Sequence, residues 1–278
     1  TYKKIFNNNN FLIRNWIIDN PRANIILLHG YGEHSKRYEE TAKVLNNVGF
    51  AVYSYDRRGE GESTGKKGHI NRFDIQVEDL IAIKNNITTN NNIKTYLMGH
   101  SLGGLICVKY LIDYTPDDIS GLILSSPLLK SDKNMAPTLQ KMAKIVSFLM
   151  PWLPTVKLDS NHITKDLEQQ ILYKNDPLIY HGKLNARTGY EILKAIKHVQ
   201  NNFGLISLPY IVLHGSDDKI ADPNGSKLFH SMTISKEKTI KILEGLYHEM
   251  MREPEKQMFF KYITEWLDDK NKNTTQTY

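Results

Sequence analysis

A serine flanked by glycines marks the stretch most able to do chemistry, Gly99-His-Ser-Leu-Gly103. The apolar run Tyr96-Leu-Met98 before it is typical of a buried strand, and the apolar spacing from Leu102 onward is typical of a helix. A sharp turn from strand to helix strains its central residue, so close backbone neighbours must lack a Cβ. Such a turn lifts the Ser101 hydroxyl above the sheet edge, and the sequence therefore predicts a serine nucleophile.

A serine nucleophile needs a base to accept its proton and a carboxylate to fix the tautomer of that base. In this arrangement the acid and then the histidine follow the serine, each in a loop at the carboxyl end of a strand. His248 is the only histidine after the last predicted strand, and it is the candidate base. The preceding loop offers three acids, and spacing alone does not separate the adjacent pair: Asp217, Asp218 and Asp222.

Acyl transfer also requires backbone N–H groups aimed at the oxyanion that forms on the substrate. Leu102, directly after the serine, supplies one candidate donor. The glycine-rich loop His29-Gly-Tyr-Gly32 supplies the other through the main chain of Tyr31, so the side chain at position 31 matters less.

Alternating strand and helix patterns place these loops. A hairpin is predicted over residues 2–18, with its turn at Asn7 to Asn10. Apolar runs of strand length follow at 24–28, 50–55, 96–98, 121–125, 209–214 and 238–243, with helical spacing between them. This alternation predicts an α/β fold with a mostly parallel sheet covered by helices on both faces. The alternation of strands and helices stops over residues 127–208, which contain several prolines and no clear strand. We interpret this segment as a helical cap inserted into a core of residues 1–126 and 209–278.

Composition limits the class of protein. The 278 residues, 40% of them hydrophobic, suffice for one large α/β domain with an insertion. The single cysteine, Cys107, excludes an internal disulfide and fits a reducing compartment. No apolar run approaches membrane-spanning length, so we expect a cytoplasmic protein or one peripheral to membranes. The chain begins at Thr1, which leaves a preceding targeting segment open.

The net charge of +6 favours anionic surfaces. There is no basic tract interleaved with aromatic residues and no zinc-type spacing of Cys and His, so neither a nucleic-acid partner nor a metal is expected. The proton transfers assigned above need no organic cofactor. No pattern in the sequence predicts the oligomeric state.

Taken together, these motifs resemble the monoglyceride lipase and lysophospholipase branch of the α/β-hydrolase superfamily. The matching stretches run in the family's order over nearly the whole chain: HGYGEHSKRY at 29–38, DRRGEGES at 56–63, GHSLGG at 99–104, GSDDKIAD at 215–222 and EGLYHE at 244–249. The resemblance implies a carboxylic ester hydrolase that cleaves single-chain lipids through an acyl-enzyme at Ser101. It also selects Asp218, the fourth residue of the G-S-x-D loop, as the acid.

The resemblance further implies that Glu33 and Arg37 lie near the polar head of the ester, with a salt bridge supporting the oxyanion loop as the alternative. The loop at 56–63 is interpreted as a structural turn closed by an Asp–Arg contact. Some members of the family carry a second histidine three residues after the catalytic one. Met251 occupies that position here, which predicts a looser choice of head group.

Within the predicted cap, an apolar stripe runs beside Lys141 and Lys144, and it comprises Leu139, Met142, Ile145, Val146, Leu149 and Met150. The stripe is either a lipid-facing lid that touches membrane surfaces or the packing face of a small cap core.

Two other classes of function remain open on the same fold, one catalytic and one not. A peptidase or acyltransferase would use the same triad, and a non-catalytic ligand-binding protein would use the same pocket.

Overall fold

A computed structural model of the chain describes residues 1–6, 9–87, 93–130 and 137–272, and within the last range it describes side chains from 143. The strands are β1 (Tyr2–Phe6), β2 (Asn9–Trp16), β3 (Ala23–Leu28), β4 (Phe50–Tyr55), β5 (Thr95–His100), β6 (Gly121–Ser125), β7 (Tyr210–Gly215) and β8 (Lys238–Leu243). The α-helices are α1 (Glu39–Asn47), α2 (Asp74–Ile87), α3 (Leu102–Tyr114), α4 (Pro137–Leu149), α5 (Leu167–Asn175), α6 (Ala186–Asn201), α7 (Pro223–Met232) and α8 (Lys256–Asn271).

All eight strands form one sheet in the order β1-β2-β4-β3-β5-β6-β7-β8. The strands from β3 to β8 pair in parallel, whereas β1 and β2 form an antiparallel hairpin that joins the edge of β4. The predicted α/β fold with a mostly parallel sheet is confirmed. Because parallel strands end at one edge, the loops after β3, β5, β7 and β8 meet there, as the sequence requires.

The central strands bury both faces, and their alternating side chains enter two separate cores. Ile26 and Leu28 of β3 pack with residues of α2, α3 and α6 on one face, while Ile25 and Leu27 pack with residues of α1 and α8 on the other. This is the period of two expected of a strand, and it explains why these strands read as continuous apolar runs. The two cores fix the sheet edge on which the loops sit.

The hairpin differs from the sequence prediction at its ends. Strand β2 stops at Trp16, and Ile17 is 61% exposed, because pairing with β4 ends at that point. Asn9 and Asn10 pair with Phe6 and Ile5 as part of the strand rather than as turn residues. The remaining turn residues of that prediction, 7 and 8, lie outside the described residues.

Between β6 and β7 the chain forms α4, α5 and α6, as predicted for the cap, and its described part contains one isolated bridge, Pro154 to Asn185. Helix α6 also contributes Ile192, Ile196 and Val199 to the larger core beside α3. The domain boundaries at 127 and 208 stay a prediction. None of the helices in the described ranges combines the length and the apolar character needed to span a bilayer.

Candidate active site

Ser101 occupies a strained turn between β5 and α3. Its backbone angles are φ 52° and ψ −118°, a region that residues with a Cβ seldom adopt. The surrounding glycines are required by space: a Cβ on Gly99 would lie 2.6 Å from Gly104 Cα, and one on Gly103 would lie 2.3 Å from Leu28 O. The Ser101 amide donates to Ser125 O over 3.0 Å, which ties the turn to the neighbouring strand β6.

Asp218 and His248 meet at the carboxyl edges of β7 and β8. The Nδ1 atom of His248 lies 2.7 Å from Oδ2 of Asp218, and both side chains are buried. The other carboxylate oxygen, Oδ1, accepts the backbone N–H groups of Ile220 (2.8 Å) and Ala221 (2.9 Å). Since His248 donates through Nδ1, its Nε2 atom is left as the acceptor for a proton.

The alternative acids lie elsewhere. Asp217 is exposed and accepts the hydroxyl of Ser216 over 2.9 Å. Asp222 caps α7 and pairs with Lys130 at 2.8 Å. The structure therefore separates the adjacent aspartates that spacing alone left open, and Asp218 is the one beside the histidine.

The electrostatic balance of this pair suits a general base. Burial alone would lower the pKa of His248, but the facing Asp218 carboxylate and its hydrogen bond raise it above the ordinary histidine value. Burial would raise the pKa of Asp218, yet His248 and His214 hold it far below its usual range. Asp218 therefore stays ionised beside a histidine that can take up a proton.

Two residues that support the pair were missed by sequence reasoning. The Nε2 atom of His214 lies 3.0 Å from Oδ2 of Asp218, and its Nδ1 atom lies 2.7 Å from Ser226 Oγ. Ser126 donates its hydroxyl to the carbonyl of His248 over 2.8 Å. A histidine that ends an apolar strand is a weak signal, since only the fold shows that it faces the acid.

The predicted oxyanion donors flank the serine. Leu102 is the first residue of α3, so its N–H has no acceptor within the helix and lies at the positive end of the helix dipole. On the other side, a Cβ built on Gly30 would lie 3.2 Å from Ser101 Cβ, which places Gly30, the residue before Tyr31, beside the serine side chain. Gly30 and Tyr31 line one small cavity together with Ser101 and His248.

The loop that carries Tyr31 is held from the core and from the cap. The N–H of Gly30 donates to Glu33 Oε1 over 2.5 Å, and the N–H of Gly32 donates to Glu60 Oε1 over 3.2 Å. From the cap, the N–H of Tyr180 donates to Gly32 O over 2.7 Å. The cap therefore braces the loop that carries Tyr31 as well as covering it, a contact that the sequence did not predict.

Glu33 and Arg37 form a buried ion-pair cluster with Glu249, the residue after the histidine. Arg37 donates to Glu33 over 2.8 Å and to both carboxylate oxygens of Glu249 over 2.6 and 2.8 Å. Glu33 also lines the cavity, whereas Arg37 lies beneath Tyr173, whose ring centroid is 4.7 Å from the guanidinium carbon. The cluster joins the loop that carries Tyr31 to the loop that carries His248, which is the supporting role weighed as the alternative to head-group contact.

Two other expectations fare differently. Met251 is buried in the apolar core with Phe259 and Phe260, and it is not among the residues that line the cavity. The expected Asp–Arg contact in the loop at 56–63 is wrong: Arg58 pairs with Asp79 of α2 at 2.6 Å. Asp56 instead accepts backbone N–H groups from Ser35 and Glu62. The loop wraps around this carboxylate and leaves Arg58 outside.

A serine at a strand-to-helix elbow, with an aspartate and a histidine after later strands of the same parallel sheet, defines an α/β-hydrolase. Residues 19–255 match the model of the family described as serine aminopeptidase, S33, and the chain belongs to this family.

Its relatives place it more narrowly. The chain is 32% identical to a monoacylglycerol lipase of Mycolicibacterium smegmatis over 91% of this chain and 90% of that protein. It is 29% identical to the phospholipase YtpA of Bacillus subtilis over 91% and 98% of the two chains. The crystal structure of the monoacylglycerol lipase of Paleococcus ferrophilus superposes with a TM-score of 0.81 at 31% identity, covering 94% of this chain and 99% of that one. The predicted hydrolase of the monoglyceride lipase branch is thereby confirmed.

Proposed function

We propose that this chain hydrolyses carboxylic esters of single-chain lipids, with Ser101 as the nucleophile, His248 as the base and Asp218 as the orienting acid. The observation that carries the proposal is the buried contact of 2.7 Å between His248 and Asp218, beside a serine held at a strained elbow in the same cavity. The similarity to monoacylglycerol lipases and to a phospholipase supports the substrate class.

The reaction proceeds in two halves. Ser101 Oγ attacks the ester carbonyl while Nε2 of His248 takes its proton, and the carbonyl oxygen becomes an oxyanion that accepts the N–H groups of Tyr31 and Leu102. The intermediate collapses, the C–O bond to the alcohol breaks, and His248 returns the proton to the departing alkoxide. A water then attacks the acyl-enzyme by the same route and releases the fatty acid and free Ser101.

The cavity favours an apolar acyl chain and requires the cap to move. Its walls include Leu158, Ile163, Tyr173 and Ile220, and its volume is about 30 Å³. That space holds about one water molecule, whereas ligand pockets run to several hundred cubic ångströms. An acyl chain therefore enters only when side chains of the cap move aside, a step common in enzymes with covered sites.

Contact with a lipid surface through the cap forms part of the proposal. Phe148 and Leu149 of α4 are 79% and 70% exposed, and Ile145 of the same helix is exposed as well. The exposed apolar side chains continue after the helix with Met150, Trp152, Leu153 and Val156. The small cap core is built from other residues, namely Ile163, Tyr173 and Ile179. An exposed apolar ridge beside Lys144 fits insertion at a membrane or micelle interface better than packing within the cap. The side chains of Leu139, Lys141 and Met142 lie outside the described part.

A peptidase is the second candidate, because the family is described by an aminopeptidase activity. Labelling with a fluorophosphonate, with the Ser101→Ala variant as control, tests for an activated serine. A panel of monoacylglycerols, lysophospholipids, fatty-acid methyl esters and aminoacyl p-nitroanilides then separates the classes. We expect labelling that depends on Ser101 and turnover of the single-chain esters. Efficient turnover of the p-nitroanilides alone would identify a peptidase instead.

The head group should matter less than the acyl chain. Burying about ten methylene groups is worth roughly 8 kcal/mol gross, whereas one neutral hydrogen bond contributes about 0.5–1.5 kcal/mol. Glu33 is the head-group candidate that lines the cavity, and Met251 offers no polar atom to a glycerol. We expect kcat/KM for a monoacylglycerol to exceed that for the methyl ester of equal chain length by less than about a hundredfold, which is about 2.7 kcal/mol.

A further inference from the structure

The peptide unit between Gly30 and Tyr31 carries the oxyanion donor on one side and a carbonyl on the other. That carbonyl, Gly30 O, accepts a hydrogen bond from Nη2 of Arg57 over 2.6 Å. It also lies 2.8 Å from Nδ1 of His29. Since a trans peptide is planar, with its C=O and N–H directed oppositely, a carbonyl held on one side fixes the direction of the N–H on the other.

His29 is a neutral donor in this arrangement. Its Nε2 atom accepts the backbone N–H of Arg57 over 2.9 Å, which leaves the ring proton on Nδ1 to donate to Gly30 O. Burial and the neighbouring Arg57 lower the pKa of His29 to about 3, so the ring stays uncharged. The guanidinium of Arg57 is therefore the charged donor on this carbonyl.

Arg57 is itself held rigidly and out of water. Its side chain is 1% exposed, and Nη1 donates to Gln76 Oε1 over 2.9 Å. The nearest carboxylate oxygen paired with it belongs to Glu60, at 3.8 Å, and burial raises the pKa of Glu60 to about 7. A carboxyl that is about half protonated at pH 7 and lies 3.8 Å away neutralises only part of the arginine charge.

We propose that Arg57 is a positioning residue for the oxyanion: by donating to Gly30 O it orients and polarises the Tyr31 N–H on the opposite side of the same peptide. A charged donor on a carbonyl strengthens the hydrogen bond that the attached N–H makes, and in a water-free site a fixed positive charge also favours developing negative charge. The inference rests on the hydrolase reaction proposed above.

The test compares Arg57→Gln with Arg58→Gln, using a soluble short-chain ester. The adjacent Arg58 pairs with Asp79 at the outer side of the loop, so it is the matched control. Loss of a whole oxyanion donor costs about 10²–10³ in kcat, and here the donor stays but loses its alignment. We expect kcat to fall about 10- to 50-fold in Arg57→Gln with KM within about threefold of wild type. Arg58→Gln should stay within about twofold in kcat.

A transition-state analogue separates positioning from general damage. A trifluoromethyl ketone forms an oxyanion adduct with the serine, so its Ki should rise in Arg57→Gln by the factor that kcat/KM falls. Arg57→Lys keeps a charged donor, so it should recover much of kcat/KM and much of the affinity for the ketone. If Arg57→Gln does not fold, Gln76→Leu loosens the same guanidinium, and the ketone should bind several-fold more weakly to it.

Turnover in folded Arg57→Gln equal to that of Arg58→Gln would overturn the inference, and so would a kcat loss with an unchanged Ki for the ketone. Absence of turnover by the wild-type protein would refute the proposed hydrolase reaction separately.

Discussion

Replacing Asp218 by asparagine tests the proposed role of this acid, because the hydrogen bonds around the side chain determine how the asparagine amide must be oriented. Oxygen Oδ1 of Asp218 accepts two backbone N–H groups, and Oδ2 faces Nδ1 of His248 and Nε2 of His214. An asparagine keeps the backbone bonds only with its carbonyl oxygen in the Oδ1 position. The opposite orientation would leave two buried N–H groups unsatisfied, at about 1–3 kcal/mol each.

The amide NH₂ group must therefore face His248. It donates to Nδ1 and forces the ring proton onto Nε2, so the histidine can no longer accept the proton of Ser101. The same substitution in a serine protease with this geometry lowers kcat by about 10⁴, or about 5.5 kcal/mol, and we expect a loss of that size here. KM for a soluble p-nitrophenyl ester should change little, because the substrate contacts remain.

The assay is steady-state hydrolysis of p-nitrophenyl butyrate, with circular dichroism to establish folding. Asp217→Asn is the matched control, since that side chain is exposed and contacts only a neighbouring serine hydroxyl in the described structure. It should retain kcat within about twofold. A folded Asp218→Asn enzyme that keeps more than a tenth of wild-type kcat would refute the tautomer argument. A large loss of kcat in Asp217→Asn would instead identify Asp217 as the acid.

Ser101→Ala and His248→Ala should each lower kcat by about 10⁴–10⁶, because the triad acts as a unit; near-normal turnover by either would refute the mechanism. Burial raises the pKa of Glu60 from 4.5 to about 7, so the folded chain keeps a proton there that the unfolded chain loses. The free energy of unfolding should fall by about 3 kcal/mol from this group between those pH values. Glu60→Gln should remove this pH dependence of the free energy of unfolding, as measured by urea titrations at pH 5 and 7.5. An unchanged pH dependence would contradict the prediction. Replacing Leu149 and Met150 by serine should weaken hydrolysis of vesicle-bound substrate several-fold while sparing soluble esters, whereas equal losses would favour a packing role. Activity should survive exhaustive chelation, and a loss that a divalent ion restores would contradict a mechanism without metal.

The sequence by itself determined the order of elements and the candidate chemistry. Apolar runs of strand length with helical spacing between them fix an α/β sheet, because each pattern buries its apolar side chains in one backbone geometry. The glycines around Ser101 fix the elbow, since no side chain fits at Gly99 or Gly103. His248 followed from chain order alone. Each of these features depends on residue type, local spacing or order along the chain, and none depends on a contact between distant segments.

Only the tertiary structure decided which of two adjacent residues enters the site and which groups each of them contacts. Asp217 and Asp218 are adjacent and chemically identical, and the path of the loop after β7 turns one toward solvent and the other toward the histidine. Arg57 and Arg58 are separated in the same way, one buried against Gly30 and the other paired with Asp79. In each pair the side chains leave the backbone in different directions. What each one meets depends on strands and helices distant in sequence, and no local pattern encodes that contact.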